Sequence, residues 1–322
     1  MLPDMDDQGG SLHRPRRALV AGGAGFIGSH LCESLLADGV PVRVLDDLSS
    51  GHRRNLPTGV EFVEGSICDE AAVAACLEGV EAVFHLAAEV SVPRTVEDPE
   101  RAFRINLAGS ESLFRLAGRA GVAAVVFASS AAVYGPKPSL PSREGDPFDC
   151  GSPYAAHKAA GELLLQAYSR GFGFHGASLR FFNVFGPRQD PSSAYAAVIS
   201  AFLDAVIAER TPRVFGDGLQ SRDFVPVANV VQGLRRAADP ARGLRGEAFN
   251  IGLGERRSLL DLLAALSGIL GRRIEPAFGP PRAGDVPHSQ ASIERAAAVL
   301  GYRPAVGFEE GLRRTLDSVR SG

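Results

Sequence analysis

The sequence predicts an α/β fold, a doubly wound parallel sheet followed by a smaller C-terminal α/β lobe. Three observations predict it. Short apolar runs alternate with longer stretches of helical spacing from Arg17 to Phe181. The runs lack a strict apolar–polar alternation, as strands covered on both faces should. A glycine cluster, Gly22-Gly23-Ala24-Gly25-Phe26-Ile27-Gly28, sits where the first run gives way to the first helical stretch.

The run 17–21 reads as a buried strand, and Phe26, Ile27, Leu31, Leu35 and Leu36 recur at helical spacing behind the glycines. Gly23, Gly25 and Gly28, or equally Gly22, Gly25 and Gly28, fit a dinucleotide fingerprint. One glycine permits the tight turn, one lets the backbone approach a pyrophosphate, and one lets helix pack closely on strand. The free N–H groups opening the helix then face the phosphates. The run 40–45 reads as the second strand and ends at Asp46-Asp47. That places an acid about 20 residues past the glycines, where a ribose hydroxyl is met. Strand, turn, helix, strand and acid in this order make a Rossmann dinucleotide-binding unit. The acid would repel a 2′-phosphate and favours NAD over NADP; Arg43, Arg53 and Arg54, near in sequence, pull the other way.

Residues 60–63 alternate as a strand, and Asp69 caps a helix over 70–77. Residues 82–86 form another buried strand ending at Ala87-Ala88. A long helix is expected over 99–120, a strand over 123–128 closing in Ser129-Ser130, a helix from Ser152-Pro153 to about Arg170, and a strand over 176–181. The character changes after Asn183. A loop spans 186–191, a helix 194–209, a strand and turn 214–218, and a short strand 223–225 leads into a helix to about Ala238. A strand over 248–251, a helix over 259–270, a proline- and glycine-rich stretch at 276–287 and an amphipathic helix over 309–319 complete the chain. The expected organisation is a disordered tail over 1–15, a dinucleotide-binding domain over 16–182 and a second lobe over 183–322, parts of which pack back on the first domain. No linker separates the halves, which predicts a cleft between them.

Composition narrows the function. With 45% hydrophobic and 22% charged residues, the chain of 322 is globular. A net charge of -3 gives no electrostatic footprint for nucleic acid or a membrane surface. Cys32, Cys68, Cys76 and Cys150 lack paired spacing and read as free thiols, which with the absence of a bilayer-length apolar run or a secretion signal points to the cytoplasm. No metal-ligand spacing is present.

Tyr154 and Lys158, four residues apart, share a helix face. A nearby ammonium favours the phenolate, which would make the tyrosine a base near neutral pH. Ser129 and Ser130 close a strand, on the side of the sheet where ligands lie; a hydroxyl there bonds a reacting oxygen or is an ordinary loop serine. His85, at another strand end, reads as a packed histidine.

The glycine stretch, Ser-Ala-Ala-Val-Tyr-Gly (130–135), Tyr154-x-x-x-Lys158 and Arg180-Phe181-Phe182-Asn183 together resemble the extended short-chain dehydrogenase/reductase family, over residues 17–320, and within it the nucleotide-sugar 4-epimerases. The resemblance implies NAD, a UDP-sugar substrate and a homodimer joined through helices such as 99–120 and 152–170. It makes Tyr154 the catalytic base and acid, Lys158 the holder of the nicotinamide ribose, and Ser130 the partner of the sugar oxygen. It places Gly22, Gly25, Phe26, Ile27, Gly28, Asp46, Ser66, Ile67, Leu86, Ala87, Ala88 and Asn106 at the cofactor. It places Ser91, Asn183, Val198, Val214, Phe215, Arg222, Arg282, Asp285 and Ser289 at the substrate, with Asn183, Arg222 and Arg282 on the diphosphate and residues 214–216 flanking the uracil.

The chain departs from many relatives at Ala21, where they carry threonine, and at Ser66, where they carry an acid beside the adenine. Ala131 and Ala132 stand where related dehydratases carry an Asp-Glu pair, and Ala132 where decarboxylases usually carry a glutamate. Alanines transfer no protons, which favours an epimerase. The small Ser289, with residues 189–191 and 193–198, resembles the branch acting on UDP-N-acetylhexosamines. The expected reaction is therefore interconversion of UDP-GlcNAc and UDP-GalNAc, with UDP-glucose and UDP-galactose as a further pair. A UDP-hexuronate 4-epimerase and a non-catalytic nucleotide-binding sensor on the same fold stand as the other readings.

Overall fold

The computed structural model of the chain describes residues 12–136, 139–190, 198–281 and 286–321. Six strands arise in the first part: β1 (Ala18–Ala21), β2 (Val42–Asp46), β3 (Glu61–Glu64), β4 (Ala82–His85), β5 (Ala124–Ser130) and β6 (His175–Phe181). Between them run helices α1 (Phe26–Ala37), α2 (Glu70–Cys76), α3 (Val92–Glu97), α4 (Pro99–Phe103), α5 (Ser110–Arg119) and α6 (Pro153–Phe172). The second part holds β7 (Asn183–Phe185), α7 (Val198–Ile207), β8 (Arg213–Phe215), β9 (Ser221–Arg222), β10 (Phe224–Pro226), α8 (Val227–Ala237), β11 (Arg245–Ile251), β12 (Arg257–Ser258), α9 (Leu259–Leu270), β13 (Ala277–Gly279) and α10 (Phe308–Ser321).

One parallel sheet of seven strands runs β11-β6-β5-β4-β1-β2-β3. The chain builds outward from β1 to β3, then returns to the far side of β1 and builds outward again through β4. That reversal opens a crevice beyond the carboxyl ends of β1 and β4, the usual ligand position in such sheets. Two cores flank the sheet. On one face Leu31 and Leu35 of α1 and Val231 and Leu234 of α8 pack on Val20, Val44, Phe84 and Val126. On the other, Leu113, Phe114 and Leu165 pack on Leu19, Val83, Val125 and Phe127. Every residue of β1, β2 and β4 is buried, which explains why these strands are mostly apolar, with Arg43, Asp46 and His85 as the polar exceptions. Burying each large apolar side chain contributes about 1.5–3 kcal/mol.

A third cluster, with Phe185, Phe202, Leu203, Leu262, Phe308 and Leu312, is the core of the C-terminal lobe. Two later segments return to the first domain. β11 extends the main sheet beside β6, and α8 packs on α1, where buried Arg235 donates to the Ser34 carbonyl and pairs with Asp38 at 2.5 Å. Among the described residues no helix is long and apolar enough to cross a membrane.

The structure differs from the sequence expectation at several elements. The helix expected over 99–120 is α4, a π-helical turn at Arg104–Gly109, and α5. The short α3 was not foreseen, because six residues between the caps Ser91 and Asp98 are too few to show a period. The expected tail over 1–15 does not run to residue 15: His13 and Arg16 lie against Glu81 and Arg14 against Asp38. The start of the helix expected from 194 lies outside the described residues, as do Arg282 and Asp285.

Candidate active site

The glycine turn follows β1 and is anchored by the Gly22 amide donating to the Leu45 carbonyl at 2.9 Å. Gly22 has φ of 84°, and a Cβ there would come within 2.6 Å of the Ala87 amide nitrogen. A Cβ at Gly28 would lie 2.2 Å from the Gly22 carbonyl oxygen. These two positions admit only glycine, and the bare backbone they leave is the cradle a pyrophosphate needs. α1 opens at Gly25 with no side-chain cap, so its first N–H groups and dipole point into the crevice.

Asp46 ends β2 beside this turn. Its Oδ2 accepts from the Ala24 amide and its Oδ1 from the Leu48 amide, each at 2.9 Å. Burial raises its pKa, and the two amides oppose that rise. The glycine cradle and this acid fit a dinucleotide, with its diphosphate on the turn and a ribose at Asp46.

Across the crevice β5 ends at Ser130, which caps a short turn, Ala131–Tyr134, by accepting from the Ala132 amide at 3.2 Å. Ser152 caps α6 and so places Tyr154 in its first turn. Lys158, one turn later, is buried; its Nζ donates to the Ala128 carbonyl at 2.7 Å, 5.8 Å from the centre of the Tyr154 ring. Burial pulls the Lys158 ammonium down to about 8, against the pull of Glu162. Burial raises the Tyr154 phenol, and a hydrogen bond with Ser130 opposes that. This corrects the expectation that Lys158 brings the phenol down: burial is the dominant influence on Tyr154, and the Lys158 ammonium is bonded to the Ala128 carbonyl.

One cleft of about 460 Å³ gathers Gly22, Gly25, Phe26, Ile27, Gly28, Asp46, Ser66, Ile67, Leu86, Ala87, Ala88, Ser91, Ser130, Tyr154 and Lys158. Asn106 is not on its surface, contrary to the expected cofactor contact. Its side chain accepts from the Glu89 amide at 2.7 Å and donates to the Glu89 carbonyl at 2.9 Å, so its hydrogen bonds fix the loop after β4 from behind. The π-helical turn brings it there. His85 is buried and bonded to Ser110 at 2.8 Å, with its pKa lowered to about 3 by burial and by Lys158. It is a packed, neutral histidine.

The cleft also includes Glu89, Val90, Arg94, Arg101, Phe181, Phe182, Val184, Gln189 and Asp190, which the sequence reading did not select as site residues. Most of them follow the carboxyl ends of β4 and β6, so the topological rule was the available signal.

The expected substrate residues form a second group. Ser221 and Arg222 draw in the loop at 287–289: the Ser289 amide donates to the Ser221 carbonyl at 3.0 Å, and Arg222 to the Pro287 carbonyl at 3.2 Å. The Asn183 amide donates to the Asp223 carbonyl at 3.0 Å. Asn183, Arg222 and Ser289 are thus neighbours in the C-terminal lobe but are not part of the dinucleotide cleft. Phe215 is half-buried, with the Arg213 guanidinium 5.1 Å from its ring centre. Val214 is fully buried in the third core, which corrects its expected place beside the uracil: its side chain packs inward, and Phe215 is the neighbour with an accessible face. Val198 is partly buried against the same core.

A parallel sheet with a glycine crest, an acid at the next strand end, and Ser130, Tyr154 and Lys158 opposite them defines the short-chain dehydrogenase/reductase class. A family model described as "NAD dependent epimerase/dehydratase family" matches residues 18–252, and the chain belongs to that family. The chain is 43% identical over 312 residues, 95% of its length and 99% of the relative's, to a UDP-glucose 4-epimerase of Mycolicibacterium smegmatis. Among solved structures it resembles UDP-N-acetylglucosamine 4-epimerase from Methanobrevibacter ruminantium in complex with UDP-N-acetylmuramic acid (TM-score 0.89, 35% identity, 96% of this chain and 99% of that one). It also resembles Thermus thermophilus UDP-glucose 4-epimerase in complex with NAD (TM-score 0.87, 39% identity, 95% and 99%).

Proposed function

We propose that this protein inverts C4 of a UDP-sugar through a transient 4-keto sugar. The observation that carries the reading is the meeting of Ser130 and Tyr154 at the edge of the dinucleotide cleft, with Ala131 and Ala132 next in sequence. The first pair handles one hydroxyl proton, and the second offers no further acid or base for eliminating water or carbon dioxide.

Tyr154 Oη takes the proton of the sugar 4-hydroxyl, and Ser130 Oγ bonds the same oxygen. Lys158 holds the cofactor ribose, and the hydrogen bond with Ser130 favours the Tyr154 phenolate. Bound NAD would supply the hydride chemistry at C4. The chain's contribution is orientation and electrostatics. Asn183, Arg222 and Arg282 hold the diphosphate, since a guanidinium fork meets phosphate oxygens with two bonds. Phe215 flanks the uracil. Exposed Phe103, Leu163 and Phe172 on α4 and α6 favour a homodimer through these helices.

The small Ser289 and the likeness to a UDP-N-acetylglucosamine 4-epimerase support UDP-GlcNAc/UDP-GalNAc as the preferred pair. The 43% identity to a UDP-glucose 4-epimerase supports UDP-glucose/UDP-galactose as a second pair. Product analysis with UDP-GlcNAc, UDP-glucose and UDP-glucuronate tests the assignment. Conversion of the acetylated sugar is expected. Conversion of the glucuronate alone would replace this reading, and conversion of UDP-glucose alone would remove the acetylated pair from it.

A further inference from the structure

Tyr154, Lys158 and Glu162 follow one another at four-residue spacing on α6 and share one face. The first two belong to the site; Glu162 lies one turn deeper and is buried. Arg180 donates to its carboxylate through Nε at 2.9 Å and Nη2 at 2.7 Å. The Ser129 hydroxyl donates to Oε1 of the same carboxylate. Arg180 Nη1 reaches the Tyr134 hydroxyl at 2.9 Å, and that hydroxyl donates to Asn250 Oδ1 at 2.6 Å. One carboxylate therefore connects α6, the end of β5 that carries Ser130, β6, and β11 arriving from the second half of the chain.

A buried ion pair is weak evidence for stability, because well-packed apolar residues often serve as well. Apolar replacements cannot supply a fixed negative charge next to a buried ammonium. The groups around Lys158 make that charge matter. Tyr154 and His157 lie on its own helix, and His85 faces it from β4; burial keeps all three neutral near pH 7. Arg180 on β6 is cationic. Glu162 is the anion of this set, and it is the group that pulls Lys158 towards its charged form.

We propose that Glu162 is a positioning residue: clamped between Arg180 and Ser129, it keeps a negative charge one turn from Lys158 and fixes the strand end that presents Ser130. This rests on the reading that Lys158 and Ser130 serve the reaction. In Glu162→Gln the carboxylate charge is gone while Arg180 stays cationic, and Lys158 then faces uncompensated positive charge in a desolvated site. The ammonium should titrate at lower pH.

The sequence provides a direct readout, because it contains two lysines, Lys137 and Lys158. Protein labelled with ¹³Cε-lysine, purified with its NAD, gives two resonances, and Lys137→Arg assigns them. In Glu162→Gln the Lys158 midpoint should fall by about one pH unit or more, a tenfold change in its ionisation equilibrium. The alkaline limb of kcat should move down with it. A role that is only structural would lower activity and leave the midpoint in place, and an unmoved Lys158 in the folded variant overturns the proposal. If the resonance moves and the alkaline limb does not, the charge coupling stands and the use of Lys158 in the reaction falls. If Glu162→Gln does not fold, Glu162→Asp decides. Its charge is one methylene further away, so a smaller fall in the midpoint is expected, and no change overturns the inference.

Discussion

The Asp46 carboxylate accepts a hydrogen bond from the Ala24 amide at 2.9 Å, so the end of β2 and the glycine turn after β1 are held as one surface. The acid proposed for the ribose and the turn proposed for the diphosphate therefore form one continuous surface. Asp46→Ala should lower NAD retention by about 1–3 kcal/mol, the cost of losing charge-assisted hydrogen bonds. Asp46→Asn, which still offers one acceptor to a backbone amide, should lie between the variant and the wild type. NAD content after purification, or titration of NAD into stripped protein, measures this. Retention equal to wild type in Asp46→Ala would remove the carboxylate from the cofactor site.

Tyr154→Phe should keep the fold and nucleotide binding and lower epimerisation by about 10²–10⁴-fold, the usual contribution of a positioned general acid–base. The neighbouring Ser130 hydroxyl is too weak a base to replace it. Turnover near the wild-type rate would exclude Tyr154 as the base.

Stability should depend on buried histidines. His30 is held down to about 4 by burial and by Arg188, and His85 to about 3, against 6.5 for a free imidazole. Across that interval the unfolded chain binds more protons than the folded one, so stability rises with pH. The contribution is fully present above about pH 6.5 and is lost as pH falls towards 4 and 3. Asp223, pushed up to about 6 by burial, works the other way between about pH 4 and 6, as does Asp46, while His157 and His175, also lowered by burial, add to the histidine side. Denaturant unfolding at pH 7.5, 6.0 and 4.5 should show the decline. His30→Asn should flatten the slope by up to about 1.4 kcal/mol per pH unit, and an unchanged slope would contradict the assignment.

Ser289 is half-buried beside Ser221 and Arg222, where a larger side chain has to enter the space between the two loops. Ser289→Tyr should lower conversion of UDP-GlcNAc relative to that of UDP-glucose. Forcing atoms into a filled site costs typically about 1–3 kcal/mol, about 5- to 150-fold in relative rate. Equal handling of both sugars by the variant would show that this residue does not set the pocket size.

The parts of the site legible in the sequence are those written in local spacing. Gly22, Gly25, Gly28 and Asp46 declare themselves because one turn and the next strand end bring them together, and Tyr154 and Lys158 because a helix does. Asn106 differs from the expectation because its side chain is taken up by the Glu89 backbone, a long-range pairing that no single-sequence period reveals. Val214 was misread because a residue can belong to a ligand-bounding strand and still face the core. Arg94, Arg101 and the pairing of Glu162 with Arg180 were invisible. They depend on which strand ends converge, and that is fixed by contacts between residues far apart in the chain.

The most direct measurement follows the hydrogen on C4. The protein, purified with its NAD, is incubated with UDP-sugar carrying deuterium at C4, in ordinary water, and the product is read by NMR. The account predicts an inverted C4 that still bears the deuterium, with none released to solvent and no net formation of NADH. Product whose deuterium has exchanged with water, or whose inversion lies at another carbon, would contradict it.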